Sequence, residues 1–183
     1  MRQAKRRRTA AGFTLIETMV ALVVLGVGVL GLAAMLADAL AYMHGSEEDF
    51  IAQQKAEEAA ESIYTAKYSN NATFAQISNN TAGNPAGLFL VGPQPLLQPG
   101  PDGLVGTVAD AGRPPEFILD PGPDKILGTG DDIQIPLGNF TRTIAISAVP
   151  GKANLNVVTI TVNYTAGRFR RAYTLTTYVS AFN

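Results

Sequence analysis

Residues 12–38 read Gly12-Phe-Thr-Leu-Ile-Glu17-Thr-Met-Val-Ala-Leu-Val-Val-Leu-Gly26-Val-Gly28-Val-Leu-Gly31-Leu-Ala-Ala-Met-Leu-Ala37-Asp38. From Thr18 to Ala37 there are twenty consecutive uncharged residues, and at about 1.5 Å per residue a helix of that length spans a hydrocarbon core of about 30 Å. The run carries one carboxylate, Glu17, at its head, directly behind a knot of cations. A membrane-length helix with an acid in its first turn is the element around which the chain is organised.

Ahead of the run stand Arg2, Lys5, Arg6, Arg7 and Arg8 with no acid among them. The positive-inside bias therefore holds the N-terminus in the cytoplasm and sends everything beyond Asp38 outward. A cleaved secretory signal is the alternative, with Ala39-Leu40-Ala41 as its small-x-small cleavage site. Against it, the apolar run exceeds the usual h-region of about 7 to 15 residues. An acid within it also costs on the order of 2.5 to 3.5 kcal/mol if central, less near the interface.

Residues 8–17, Arg-Thr-Ala-Ala-Gly12 followed by Phe13-Thr14-Leu15-Ile16-Glu17, resemble the prepilin processing site of type IV pilins and type II secretion pseudopilins. The continuation Ala21-Leu-Val-Val-Leu-Gly26-Val-Gly28-Val-Leu-Gly31 is similar to PilV-like minor pilins. The resemblance covers residues 8 to 37. It implies cleavage after Gly12 by a prepilin peptidase, methylation of the new amine at Phe13, and Glu17 as fifth residue of the mature chain. It further implies that Phe13 and Glu17 serve assembly and that the partners are other pilin or pseudopilin subunits, met through the N-terminal helix. The chain would sit in the inner membrane before moving to a surface pilus or periplasmic pseudopilus.

The chemistry of Glu17 points the same way, because a carboxylate in an apolar span needs a cation or a donor, and a processed chain offers the free amine of Phe13. Gly26, Gly28 and Gly31 spell the dinucleotide fingerprint. That motif needs a preceding strand and an exposed helix start, whereas glycines inside an apolar span let helices approach closely. Removing the leader leaves nine basic against fifteen acidic residues, a net charge of about −6. Such a chain lacks the basic face that phosphate neutralisation requires, so nucleic acid is an unlikely partner, and the cluster Arg168, Arg170, Arg171 reads as a solvated strand end.

With no proline before Pro85 and with abundant Ala, Glu, Gln and Lys after Asp38, the helix is expected to run on to about Tyr68. Ala52, Ala56, Ala59, Ala60 and Ile63 form a narrow face suited to a closely laid sheet. Leu40, Met43, Phe50 and Ile51 lie on the other side, free to meet neighbouring subunits or the same domain, with His44, the single histidine, among them as a structural residue. Ten of the eleven prolines then fall between Pro85 and Pro136, which excludes regular helix. Short strands are expected at 88–91, 117–119 and 133–135.

Within this region Gly100-Pro-Asp102-Gly-Leu-Val-Gly-Thr107 returns twenty-two residues later as Gly122-Pro-Asp124-Lys-Ile-Leu-Gly-Thr129. The second copy gathers Asp120, Asp124, Thr129, Asp131 and Asp132, hard oxygen donors of the type that suits Ca²⁺. Asx turns account for the same residues. The first copy, with Asp102 and Asp110, is the weaker candidate. With no cysteine in the chain, no disulfide staples the head, and a bound ion would fill that role.

Strands are expected over 141–149, 156–165 and 168–180, joined by turns at Pro150-Gly151 and Ala166-Gly167. In the middle one Val158, Ile160, Val162 and Tyr164 alternate with polar residues, one face buried and one wet. The reading is an α+β chain with five parts. These are a leader at 1–12, a membrane or filament-core helix at 13–37, its amphipathic continuation at 38–68, a Gly/Pro-rich region at 69–136 and an antiparallel sheet at 137–183. One histidine, no cysteine and no nucleophile or phosphate motif leave an enzyme without machinery. A filament subunit is the reading that absorbs the most residues. A minor pilin of the priming complex comes first, and a secretion pseudopilin or a pilus-borne binding module is the alternative.

Overall fold

The computed structural model describes Gly12, residues 14–167 and 169–182, without the side chains of residues 41, 43 and 44. Phe13, the leader cations, Arg168 and the side chains of Met43 and His44 lie outside what it describes. Helix α1 runs over Leu15–Tyr68, 54 residues, as the unbroken pattern of helix formers predicts. Asn70 stops it: its left-handed backbone (φ 60°) turns the chain, and the amide of Ala72 closes onto the carbonyl of Ala66 at 3.1 Å.

The chain falls into two compact units, Met1–Met43 and His44–Asn183. In the first, the apolar side chains of α1 are bare, Leu15 being 78% and Leu30 72% exposed. Among the described residues this is the one helix long and apolar enough to cross a membrane, by length and composition. An apolar helix exposed all round is stable in lipid or among other helices, not in water.

In the second unit α1 lays one face against a four-stranded antiparallel sheet, with strand order β1-β4-β5-β6. The strands are β1 Gln94–Pro95, β4 Thr141–Val149, β5 Lys152–Ala166 and β6 Phe169–Ser180. A separate hairpin pairs β2 Phe117–Asp120 with β3 Ile133–Pro136. Ala52, Ala56, Ala59, Ala60 and Ile63 are all buried against Ile144, Val158, Ile160, Val162 and Val179 of the sheet. Methyl-sized side chains let the helix backbone come close, and the β-branched layer fills the space.

Of the residues expected to meet a neighbour or the same domain, Ile51 is buried in this core, while Leu40 and Phe50 are exposed. Two expectations are corrected. No strand forms at 88–91: Phe89 makes single bridges to Asn79 and Thr107, because the run is cut short between Gly87 and the left-handed Gly92. β5 begins at Lys152, before the expected 156, the left-handed Gly151 allowing a tight turn and the register slipping at Ala148/Val149. The proline-rich region takes part in the core. It supplies Ile77, Phe89, Leu96, Leu104 and Val105 to the core, each nearly inaccessible, and it contributes β1, whose proline is tolerated because the strand is an edge.

An ionic cluster ties three elements together at this core. Glu116 takes Lys55 Nζ at 2.7 Å and Arg142 Nη2 at 3.1 Å, so helix, loop and β4 meet on one carboxylate. Arg142 also donates to the carbonyl of Lys55 at 3.4 Å. Burial pushes the Lys55 ammonium down, but its bonds to Glu116 and Glu58 outweigh that and hold it above the usual lysine value. Removing Glu116 leaves the buried Arg142 without its counter-charge, which costs about 3–5 kcal/mol, whereas removing Arg142 leaves Glu116 paired with Lys55. Urea denaturation is therefore expected to show Glu116→Ala destabilised by about that amount, Arg142→Ala by less, and Glu58→Ala, a more exposed partner, by under about 1 kcal/mol.

Candidate functional site

Thr14 and Glu17 begin α1 together. The backbone amide of Glu17 donates to the Thr14 carbonyl at 3.1 Å and to Thr14 Oγ1 at 3.3 Å. Thr14 is thus an N-cap, and Glu17 three residues on has the position of the acid in a capping box. The signature Thr14-x-x-Glu17 stands in the sequence and was not read there. It supplies a second role for the acid, since a carboxylate in the first turn gains about 0.3–1 kcal/mol from the helix dipole, offsetting part of the cost of placing it in an apolar span. Its side chain is exposed, on a face with Ile16, Val20, Ala21 and Val24 that is equally bare. Gly12 is exposed, and a Cβ built there meets no atom within 4 Å. The need for glycine at that point does not come from the described chain's own packing.

The twenty-two-residue repeat is a structural repeat. In each copy the aspartate of the motif accepts from the amide two residues on, Leu104 to Asp102 at 3.2 Å and Ile126 to Asp124 at 2.8 Å. A later aspartate clamps the turn: Asp110 Oδ2 takes the Gly106 amide at 2.7 Å, and Asp132 Oδ2 takes the Gly128 amide at 2.8 Å. Gly100 and Gly122 are each pressed so closely by the backbone nine residues on that a Cβ would lie 2.5 Å and 2.4 Å from a carbonyl oxygen. The copies differ in burial. Asp110 is buried and also accepts from Gly100 at 2.8 Å and Thr107 at 3.0 Å; in the second copy Asp120 takes the corresponding Gly122 amide at 2.9 Å.

The five residues expected to bind calcium are thus brought into one loop. Among the described residues, no three acidic or histidine side chains are grouped to hold a metal ion. Asp120, Asp124 and Asp132 accept from loop amides, while Asp131 accepts from the Thr129 hydroxyl at 2.6 Å and the Asp124 amide at 3.3 Å. The Thr129 bond, with that amide, holds the Asp131 carboxyl below the usual range.

A second ionic contact joins helix to sheet. Asp49 accepts the Tyr164 hydroxyl at 2.5 Å and Arg171 Nη1 at 2.8 and 3.0 Å. Arg171 is therefore paired and not a solvated strand end, while Arg170 is exposed. The Tyr164 bond holds the Asp49 carboxyl below the usual range; burial opposes it, and Arg171 adds to it. Burial, then the bond to Asp49, pushes the Tyr164 phenol up to about 12.

The family model described as the prokaryotic N-terminal methylation motif matches residues 7–33. No curated protein and no solved structure matches the chain.

Asp110→Ala leaves three amides of a packed turn without an acceptor and is expected to cost about 3 kcal/mol or more at about 1–3 kcal/mol per orphaned donor, whereas Asp132→Ala in the exposed copy costs under about 1 kcal/mol; thermal or urea unfolding separates them. Asp49 is more acidic folded than unfolded, so its contribution is present above the ordinary carboxylate range and is lost as pH falls through its folded pKa. The melting-temperature gap between wild type and Asp49→Asn is expected to be open at pH 7 and to close toward pH 3.

Proposed function

From a chain that carries the prepilin-type N-terminal motif of the type IV pilin and pseudopilin superfamily, we propose a minor subunit of a type IV pilus-like fibre, acting in its assembly or initiation. The motif supports a type IV pilin-like or pseudopilin subunit, a structural part rather than an enzyme. The observation that carries the finer reading is an uncharged, membrane-length helix with bare side chains and one acid in its first turn. In the membrane that surface is covered by lipid; in a fibre it is covered by the helices of neighbours. Cleavage after Gly12 removes the cations that hold the N-terminus in the cytoplasm, and the amine of Phe13 becomes the partner that Glu17 of an adjacent subunit lacks. The head, with its own core, remains outside.

The runner-up, a type II secretion pseudopilin, has the same architecture, and cross-linking the helix to its neighbours in cells identifies the machine. For the Asp-rich loop we take the carboxylates as turn acceptors and keep calcium as a test. A rise in melting temperature with calcium, absent with magnesium and reversed by a chelator, would assign an ion to Asp120, Asp124, Thr129, Asp131 and Asp132.

The intact mass from membrane or sheared-fibre fractions is expected to be that of a chain starting at methylated Phe13; a start at Tyr42 would show a secretory signal instead and remove the assembly role of Glu17. Glu17→Ala is expected to leave the helix inserted and to lose one charge-assisted hydrogen bond of about 1.5–3 kcal/mol per subunit, a ten- to hundredfold weaker addition step, read as fibre yield after shearing.

A further inference from the structure

The two edges of the four-stranded sheet are treated differently. The β4 edge is closed: β1 pairs with Thr141 and Arg142, and beyond it the side-chain amide of Asn79 stands in for a strand, donating to the Ile144 carbonyl at 2.7 Å and accepting from the Ile146 amide at 2.7 Å. β6 is the opposite edge, and among the described residues no strand or bridge pairs with its outer side. The Tyr64 hydroxyl donates to the Tyr178 carbonyl at 2.9 Å and meets the Thr177 hydroxyl, so the stretch with a free backbone edge is residues 172–177. Exposed edges are ordinarily blunted by charge, proline or a bulge. Between Ala172 and Ser180 there is no charge and no proline, and the register to β5 is unbroken over the strand.

We propose that β6 docks the β6 of a second copy of this chain, antiparallel, about a two-fold axis at Leu175. A sheet continued across the join keeps faces matched, so opposite residues must point to the same side. Centring on Leu175 satisfies this and sets Thr174 opposite Thr176 twice on the outer face, repeating the pairs Thr161–Thr174 and Thr159–Thr176 already made between β5 and β6. On the core face it sets Leu175 beside Leu175 and Tyr173 opposite Thr177. It also parts the cations, Arg170 lying opposite Ser180 at the far ends of the join. A parallel, in-register pair would stack Arg170 on Arg170, which like-charge repulsion disfavours. The contact is isologous and closes at two. Its axis stands normal to the sheet, so the two sheets run in opposite directions across the join.

The chain has no cysteine, so single cysteines report the register in the full-length protein in detergent. Thr174→Cys and Thr176→Cys, both at exposed positions, are made with distinguishable tags, mixed and mildly oxidised, with Val91→Cys as the collision background. The expected result is a mixed disulfide dimer several-fold more abundant than either self-linked dimer or the Val91→Cys dimer. Equal yields of all three pairings, or none above background, would overturn the proposal. So would capture by Thr174→Cys in native membranes of a different polypeptide in place of a second copy, which would reassign the edge to a foreign strand. None of these readouts depends on cleavage after Gly12, so they stand or fall apart from the fibre reading.

Discussion

Alanine at positions 52, 56, 59 and 60 sets the distance between helix and sheet, and the rest of the head is built to that distance. A larger residue at any of these fully or nearly buried sites would press on the β-branched layer, and overpacking of that kind costs about 1–3 kcal/mol. The close approach also decides where polar groups can cross. Glu116, Lys55 and Arg142 lie where helix, loop and strand meet, and each charge there is answered by another. Such a cluster is weak evidence of net stability, because desolvation cancels much of the attraction. Its effect is on specificity: one arrangement of helix, loop and β4 satisfies all three groups.

The same economy governs the proline-rich region. A chain with so many prolines cannot satisfy its amides in ladders, and here aspartates take over. Asp102, Asp110, Asp124 and Asp132 each accept loop amides at matching places in two copies of one motif, and the pressed glycines Gly100 and Gly122 mark where the backbone returns. The buried copy ties Leu104 and Val105 into the core. The exposed copy links β2 to β3 and keeps its carboxylates at the surface, where their charge is cheap.

The two ends of the long helix obey different rules. Around residues 49 to 66 it is an ordinary amphipathic helix, fixed by apolar contact, by Glu116 and by Asp49. Around residues 15 to 37 it is apolar on every side, and its one acid is placed in the first turn, where an N-cap and the helix dipole reduce its cost. A carboxylate at that position suits both the helix that carries it and a cationic partner from outside.

Much of this was determined by the sequence alone. The helix and its end near Tyr68, the alanine face, short strands at 117–119 and 133–135, and the three long strands apart from the early start of β5 were legible, because each follows from a local period or a local breaker. The prepilin-type motif was legible for the same reason, being a contiguous run. Tertiary structure decided what depends on residues far apart in the chain. It buried Ile51, turned Phe89 from an expected strand into a core plug, drew Arg171 to Asp49 across 122 positions, and brought the aspartates of the acidic loop to particular backbone amides. Composition names the donors available to a carboxylate, and only the folded backbone fixes which of them it meets.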